Sequence, residues 1–158
     1  MLKAFFSRPN EAFTKKVIEK LPFAPSSAQL SVLEAIVLNF YQKSRLSKLF
    51  FSKKGLYLVG RPGTGKTSLI NAFLDTLTVR NGLIHRYHIQ NLLIALNNSE
   101  VRLGIRARNF KQKLGICKSS IIFIDEFYLD HIADATLIQK LLKELIKAKC
   151  YIVFTSNT

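Results

Sequence analysis

Gly60-Arg61-Pro62-Gly63-Thr64-Gly65-Lys66-Thr67 has the form G-x-x-x-x-G-K-T, the pattern of a loop that wraps phosphate groups. Glycines let successive backbone N–H groups turn inward around an anion, in conformations other residues reach only with strain. The pattern demands a strand before it and a helix after it. Leu56-Tyr57-Leu58-Val59, introduced by Gly55, is a short apolar run that suits a buried parallel strand. Beyond the loop, Leu69/Ile70, Phe73/Leu74 and Leu77 recur at helical intervals. A helix starting there aims its free N–H groups and positive dipole end at the same phosphates. With strand, loop and helix in order, a chance Gly-rich turn before a lysine is the weaker reading. Gly60, Gly63 and Gly65 then cradle phosphate, with Arg61, Pro62, Thr64 and Ser68 completing the loop. Lys66 reaches the β- and γ-phosphates, and the Thr67 hydroxyl holds Mg2+.

Ile121-Ile122-Phe123-Ile124-Asp125-Glu126 supplies the second half of such a site. Four apolar residues make a central strand, and Asp125 stands at its carboxyl end, where open α/β sheets bind ligands. There its carboxylate holds Mg2+ directly or through water. Glu126 follows, placed to orient and deprotonate an attacking water. Alone, a strand ending in Asp-Glu says little; it gains weight because one strand–helix passage fits between Lys66 and Asp125. No glycine follows Asp125 as in GTPases, and no Asn-Lys-x-Asp guanine reader is present, so ATP is favoured over GTP. Near the end, Phe154-Thr155-Ser156-Asn157 places polar residues beyond an apolar run. Asn157 is the better candidate for sensing the γ-phosphate or the lytic water, with Thr155 as the alternative and a plain strand-to-loop turn as the bland reading.

The rest of the chain alternates in the same rhythm. Residues 83–88 predict a second strand, 90 to about 97 a helix, 132–148 a helix with one apolar face, and 151–154 a fourth strand. Residues 98–118 are polar and ambiguous. Asn81-Gly82 is a stop signal for the helix after the loop. This β-α alternation implies an α/β fold with a parallel sheet and helices on both faces. Ahead of it, Asn10 is the expected cap of a short helix carrying Phe13, Val17 and Leu21. Pro22-Phe23-Ala24-Pro25 breaks that helix. Ser26 or Ser27 caps a second helix through about Tyr41, with Leu30, Leu33, Val37 and Phe40 on its apolar stripe. Residues 1–54 thus read as a helical lead-in, with 42–54 a basic, loop-like stretch, and 55–158 as the nucleotide-binding core.

Composition limits the alternatives. The 158 residues, 48% of them hydrophobic, suit one globular domain rather than a disordered chain. No apolar run approaches the ~18 residues that a membrane span needs; Ala35-Ile36-Val37-Leu38 is interrupted by Glu34 and Asn39. Cys117 and Cys150 are far apart and outside any C-x-x-C pattern, which favours two reduced thiols in a cytosolic protein. The net charge of +14 leaves three readings: nucleic acid, anionic lipid, or lysines dispersed over solvated faces. The lysines at 15/16, 53/54, 111/113 and 140/143/147 are dispersed, and only Arg102 to Arg108 forms a local cluster. The basic, acid-free start from Met1 to Arg8 faintly echoes a mitochondrial transit peptide; an ordinary N-terminus is preferred, and no secretory signal is credible. His85 and His88 lack metal-helix spacing and read as packed or surface residues. His131 is read as a helix-entry residue.

Asp125-Glu126-Phe127-Tyr128-Leu129-Asp130-His131-Ile132-Ala133-Asp134-Ala135 resembles the D-E-F-x-V-x-D-I-A-D-A signature of the ZapE cell-division ATPases and their mitochondrial relatives of the AFG type. Gly55-Leu56-Tyr57-Leu58 matches the G-L-Y-L of that family, Phe154 to Asn157 is similar to its strand ending in T-S-N, and Tyr87-His88 is similar to its F-H. Pro25-Ser26-Ser27-Ala28-Gln29 resembles its D-P-A-Q segment. The resemblance runs over about residues 25–158. It implies an AAA+ P-loop fold and Mg2+-dependent ATP hydrolysis in the cytoplasm. It also implies a protein partner in the division apparatus, self-association and a membrane-peripheral position. Three departures stand out. The loop has Pro62-Gly63-Thr64 where the family carries V-G-x. His131 replaces the family's first Asp after Phe127, with Asp130 beside it. The residues end at Thr158, where the family continues with a fifth strand, a helical region and basic residues facing the nucleotide; the expectation is a truncated core whose turnover depends on an arginine supplied from elsewhere. Two rival readings remain: a nucleic-acid-linked AAA+ protein such as a helicase loader, and a non-catalytic remnant.

Overall fold

The computed structural model describes residues 7–41, 55–77, 83–101 and 114–157. The dispersed lysines at 53/54 and 111/113, the Arg102–Arg108 cluster, the basic N-terminal start, the 42–54 stretch and Asn81-Gly82 lie outside them. The elements are α1 (Ser7–Glu19), α2 (Ser27–Tyr41), β1 (Gly55–Gly60), α3 (Lys66–Thr76), β2 (Ile84–His88), α4 (Ile89–Val101), β3 (Ile121–Asp125), α5 (Ile132–Lys147) and β4 (Tyr151–Asn157). They divide into two compact units: one holds α1, α2 and the segment from Gly63 through α3, the other holds β1 to Pro62 and everything from β2 onward.

The second unit is a four-stranded sheet in the order β1-β4-β3-β2. All three pairings are parallel, so this is the α/β fold that the alternating pattern implied. β3 has a neighbour on each side, and Ile121, Ile122, Phe123 and Ile124 are all buried. One face of the sheet carries Ile122, Ile124 and Ile152 into a single cluster with Leu92 and Leu96 of α4 and Leu137, Ile138, Leu141 and Leu145 of α5. The 3.6-residue spacing of those α5 leucines puts them on one helix face, which is why an otherwise Lys-rich segment folds onto the sheet.

Several boundaries shift from the sequence reading. β1 is not buried on both faces: Tyr57 is 56% and Val59 47% exposed. Burial alternates along β1, so Tyr57 and Val59 share the less covered of its two faces. β4 continues past Phe154 to Asn157, so the polar residues are strand, not turn. α4 begins directly after β2 and runs to Val101, longer than expected. Ile146 of α5 is 44% exposed, apart from Leu141 and Leu145 of the core.

The first unit is helical. α1 packs against α2 and α3. Phe73 of α3 meets Phe13 and Phe40 edge-on, with ring centroids 5.8 and 5.3 Å apart, a favourable quadrupolar arrangement. Val17, Leu33, Ile36 and Val37 are buried, as are Leu69, Ile70 and Leu74 of α3. α1 starts at Ser7, so Asn10 lies within it rather than capping it. α2 starts with a reciprocal box: Ser26 N–H donates to Gln29 Oε1 at 2.8 Å, and Gln29 N–H to Ser26 Oγ at 3.3 Å. At the far end of α3, Lys20 Nζ donates to the Asp75 carbonyl, the kind of group that helix C-termini leave without a partner.

Gly55 opens β1 where a Cβ would stand 2.5 Å from the Ile152 carbonyl oxygen of β4. Backbone cannot yield as a side chain does, so Gly55→Ala is expected to destabilise the protein by about 1–3 kcal/mol through forced separation of the two strands. Chemical denaturation followed by far-UV circular dichroism measures it; an unchanged midpoint would show that β1 has room at this point.

Candidate functional site

The four parallel strands end at the same edge of the sheet, β1 and β4 running about two residues farther than β3 and β2, since Ile124 is level with Phe154. Gly60 of β1 is in register with Asn157 of β4, and His88 of β2 with Asp125 of β3. In strand order the carboxyl edge of the sheet therefore reads Gly60, Asn157, Asp125, His88. This is the edge at which open α/β sheets bind ligands.

Asp125 and Glu126 part company at the strand end. The buried Thr155 hydroxyl of β4 donates to Asp125 Oδ1. Glu126 N–H donates to the same carboxylate oxygen at 3.1 Å and to Thr155 Oγ1 at 3.2 Å. Glu126 itself adopts φ 52°, a left-handed conformation uncommon for a residue with a Cβ. That turn sends the chain back along β4: Phe127 N–H donates to the Thr155 carbonyl at 2.7 Å, and Ser156 Oγ to the Phe127 carbonyl at 2.9 Å. The Phe127 ring then packs edge-on against Phe154, centroids 4.7 Å apart.

The Glu126 side chain points the other way, to β2, where its Oε2 lies 2.8 Å from His88 Nε2. Gln90 N–H donates to His88 Nδ1 at 3.4 Å, so Nδ1 is the acceptor and Nε2 carries the hydrogen that Glu126 receives. The two side chains are 37% and 57% exposed. At that exposure the pair adds little to stability, and its effect is to hold the carboxylate in one place. In front of it opens a cavity of about 510 Å3, with His88, Glu126, Asp130, Asp134 and Asn157 in its wall. Tyr128, exposed at its rim, is hydrogen bonded to Asp130, and that bond and the carboxylate's charge push the phenol's pKa upward.

The loop continues β1 through Arg61 and Pro62, both exposed. Gly63 has φ 76° with open space around it, and Gly65 has φ 81° with none. A Cβ on Gly65 would lie 2.9 Å from Gln29 Nε2 and 3.0 Å from Phe23 Cζ. Gly65 is the N-cap of α3 and makes no side-chain cap bond; the first helical bond runs from Leu69 N–H to its carbonyl at 2.9 Å. Lys66 and Thr67 begin α3, where helix N–H groups face an incoming anion. Lys66 Nζ reaches Thr64 Oγ1 at 3.5 Å, and Ser68 is half-buried in the same turn.

Sequence reasoning passed over two features. His88 pairs with Glu126, a contact that its lack of metal spacing does not announce; its sequence signal is a polar residue ending a strand that the alternation pattern locates. The Asp125–Thr155 bond was missed because it joins residues far apart in the chain. Asn157, the preferred γ-phosphate sensor, lines the cavity wall, whereas Thr155 is committed to Asp125 and Glu126. Cys117 is exposed and Cys150 buried, and neither forms a disulfide.

A parallel sheet whose strand ends carry a G-x-x-x-x-G-K-T loop and an Asp-Glu pair defines a P-loop nucleotide-binding protein. The model of the AFG1-like ATPase family matches residues 11–158, and the chain belongs to that family. It is similar to the cell division protein ZapE of Escherichia coli K12, 31% identical over 109 residues covering 66% of this chain and 28% of ZapE. It is also similar to the tRNA modification GTPase MnmE of Mycoplasmopsis pulmonis, 28% identical over 149 residues covering 85% of this chain and 33% of MnmE. An uncharacterised protein of Schizosaccharomyces pombe is 30% identical over 111 residues, 66% of this chain and 24% of its own length. The chain thus spans a third or less of the curated relatives it matches. Among solved structures, the DnaC helicase loader superposes with a TM-score of 0.61 at 18% identity, over 91% of this chain and 80% of that one; at that identity the likeness is one of fold. No helix among the described residues is long and apolar enough to cross a membrane.

Thr155→Val keeps the shape at β4 and removes the hydroxyl that serves both Asp125 and Glu126. Leaving these groups without it is expected to cost about 1–3 kcal/mol in a urea unfolding experiment. A loss below about 0.3 kcal/mol would show that the strand end is held by something else.

Proposed function

We propose that this chain binds ATP with Mg2+ and hydrolyses it as the nucleotide-binding part of a ZapE-type ATPase that acts on a protein partner of the division apparatus, from the cytoplasm. The observation that carries the reading is the strand-edge register: Gly60 beside Asn157 and Asp125 beside His88, with Glu126 turned out over the edge and held by an imidazole. In this reading Gly60, Arg61, Pro62, Gly63, Thr64, Gly65 and Ser68 shape the loop around the phosphates, and Lys66 neutralises them. Thr67 and Asp125 offer hard oxygen donors of the kind Mg2+ takes. Among the described residues no group of three or more His, Cys, Asp or Glu side chains is placed to hold a metal. That suits an ion that relies on one carboxylate, a hydroxyl, phosphates and water. When bound, the ion offsets phosphate charge. Asp125 Oδ1 is engaged by Thr155 and Glu126 N–H, so the carboxylate has a fixed orientation. Glu126 accepts the proton of the attacking water as general base. His88 acts through it as a positioning residue. Asn157, on the cavity wall beside Gly60, supplies an amide for the γ-phosphate or the water.

Two substitutions separate binding from turnover. Lys66→Ala is expected to abolish binding of a fluorescent ATP analogue. Glu126→Gln is expected to keep binding within a few-fold while phosphate release falls at least ~100-fold, the scale of a lost general base. Retained phosphate release by Glu126→Gln sinks that assignment. The partner is tested by imaging a fluorescent fusion in dividing cells of the source organism. Concentration at the division site is expected, and a uniform distribution throughout division overturns that part of the proposal.

A further inference from the structure

We propose that Gln29, at the start of α2, is a positioning residue for the phosphate loop, acting as a clamp on Thr64 and Gly65. The proposal rests on the reading of residues 60–67 as the nucleotide site and names what sets that loop's conformation. The Gln29 side-chain amide is used at both ends. Its Oε1 accepts from Ser26 N–H at 2.8 Å, and its Nε2 donates to the Thr64 carbonyl at 3.0 Å. The orientation of the amide is fixed by this pairing, because a flipped amide would set N–H against N–H and oxygen against oxygen. The pairing demands a side chain that accepts and donates at that length. Glutamate and methionine fail one requirement or both, and asparagine is a methylene short.

The contact is local to the loop's most constrained point. Gly65 carries φ 81°, and the space a Cβ would need is filled by Gln29 Nε2 and the Phe23 ring. Phe23 and Gln29 therefore wall one side of the glycine while the hydrogen bond fixes the carbonyl just before it. Lys66 and Thr67 follow immediately. Their backbone N–H groups and side chains take their direction from Thr64 and Gly65, so a loop pinned here presents them pre-organised for an anion. Pre-organisation raises affinity by removing the ordering cost of binding. The helix cap and the loop clamp are one side chain, which ties the start of α2 to the phosphate loop across 35 positions of sequence.

Gln29→Met keeps the bulk and loses both bonds; Ser26→Ala weakens the α2 cap while leaving the clamp. Amide hydrogen exchange from Gly63 to Leu69 in the nucleotide-free protein, and affinity for a fluorescent ATP analogue with Mg2+, are read for both. Gln29→Met is expected to speed loop exchange and weaken binding about three- to tenfold each, the scale of one hydrogen bond. Ser26→Ala is expected to lower Tm but leave both readouts within about twofold of wild type, since the clamp bond is intact. Unchanged loop exchange in Gln29→Met, or equal effects of Ser26→Ala, overturns the clamp. Faster exchange with unchanged affinity overturns the positioning role. A wild-type protein that binds no ATP, with exchange still faster in Gln29→Met, overturns the nucleotide reading and leaves the clamp standing. Should Gln29→Met fail to fold, Gln29→Glu retains Oε1 on the Ser26 amide and loses only the donor, and its loop exchange is expected to rise in the same way.

Discussion

The candidate site depends on one buried hydroxyl. Thr155 is 1% exposed, and its Oγ joins two strand ends by donating to Asp125 and accepting from Glu126 N–H. A buried hydroxyl without partners is costly; here it both donates and accepts at the point where β3 stops. The left-handed turn at Glu126 sits at the same knot, where its amide N–H meets both Thr155 Oγ1 and Asp125 Oδ1. Adjacent carboxylates repel, and this geometry sends one toward β4 and the other toward β2. Two acids next to each other in sequence thereby take different neighbours, and so can take different tasks.

Stability and geometry are supplied by different parts of the sheet. The face built from Ile122, Ile124 and Ile152 with α4 and α5 is apolar and closed, and burial of that kind dominates folding energy. The carboxyl edge is polar and half-open. A hydrogen bond as exposed as His88–Glu126 adds little there, yet it decides where a catalytic carboxylate would wait. The tautomer that makes this bond is set two residues beyond the strand by Gln90 N–H, because α4 begins at once after β2. The absence of a connecting loop is therefore part of the site's construction: a longer connection would free the imidazole.

Legibility in the sequence followed locality. Continuous apolar runs bounded by polar residues located β1 and β3, and the 3.6-residue spacing located α3 and α5, since both signals lie within a few neighbouring residues. The loop and the Asp-Glu pair were readable for the same reason. Other features were not. The exposure of Tyr57 and Val59 depends on how far one face of β1 is covered, which an all-apolar run does not state. His88 acquires a partner only once β2 lies in register with β3, and Thr155 only once β4 lies beside Asp125. The Ser26-x-x-Gln29 spacing is a local capping signal, but its second use on Thr64 is a tertiary contact. Residues at strand ends and helix starts, where periodicity gives out, are the ones whose roles a linear reading underdetermines.

The two left-handed glycines of the loop show how permissive and constrained backbone can sit side by side. Gly63 has open space around it, so its glycine is required by conformation alone and neighbouring atoms do not hold it. Gly65 is required twice, by its φ and by the crowding of Phe23 and Gln29. In the proposed phosphate-binding role, such a loop gains from one part that adjusts and one that does not. Adjustment at Gly63 moves exposed backbone at little cost, whereas any movement at Gly65 disturbs the first turn of α3 and the packing behind it. The fixed point also lies immediately before Lys66 and Thr67, the two side chains whose direction the proposed chemistry requires. The placement of rigidity, rather than the number of glycines, is what distinguishes this loop from a flexible turn.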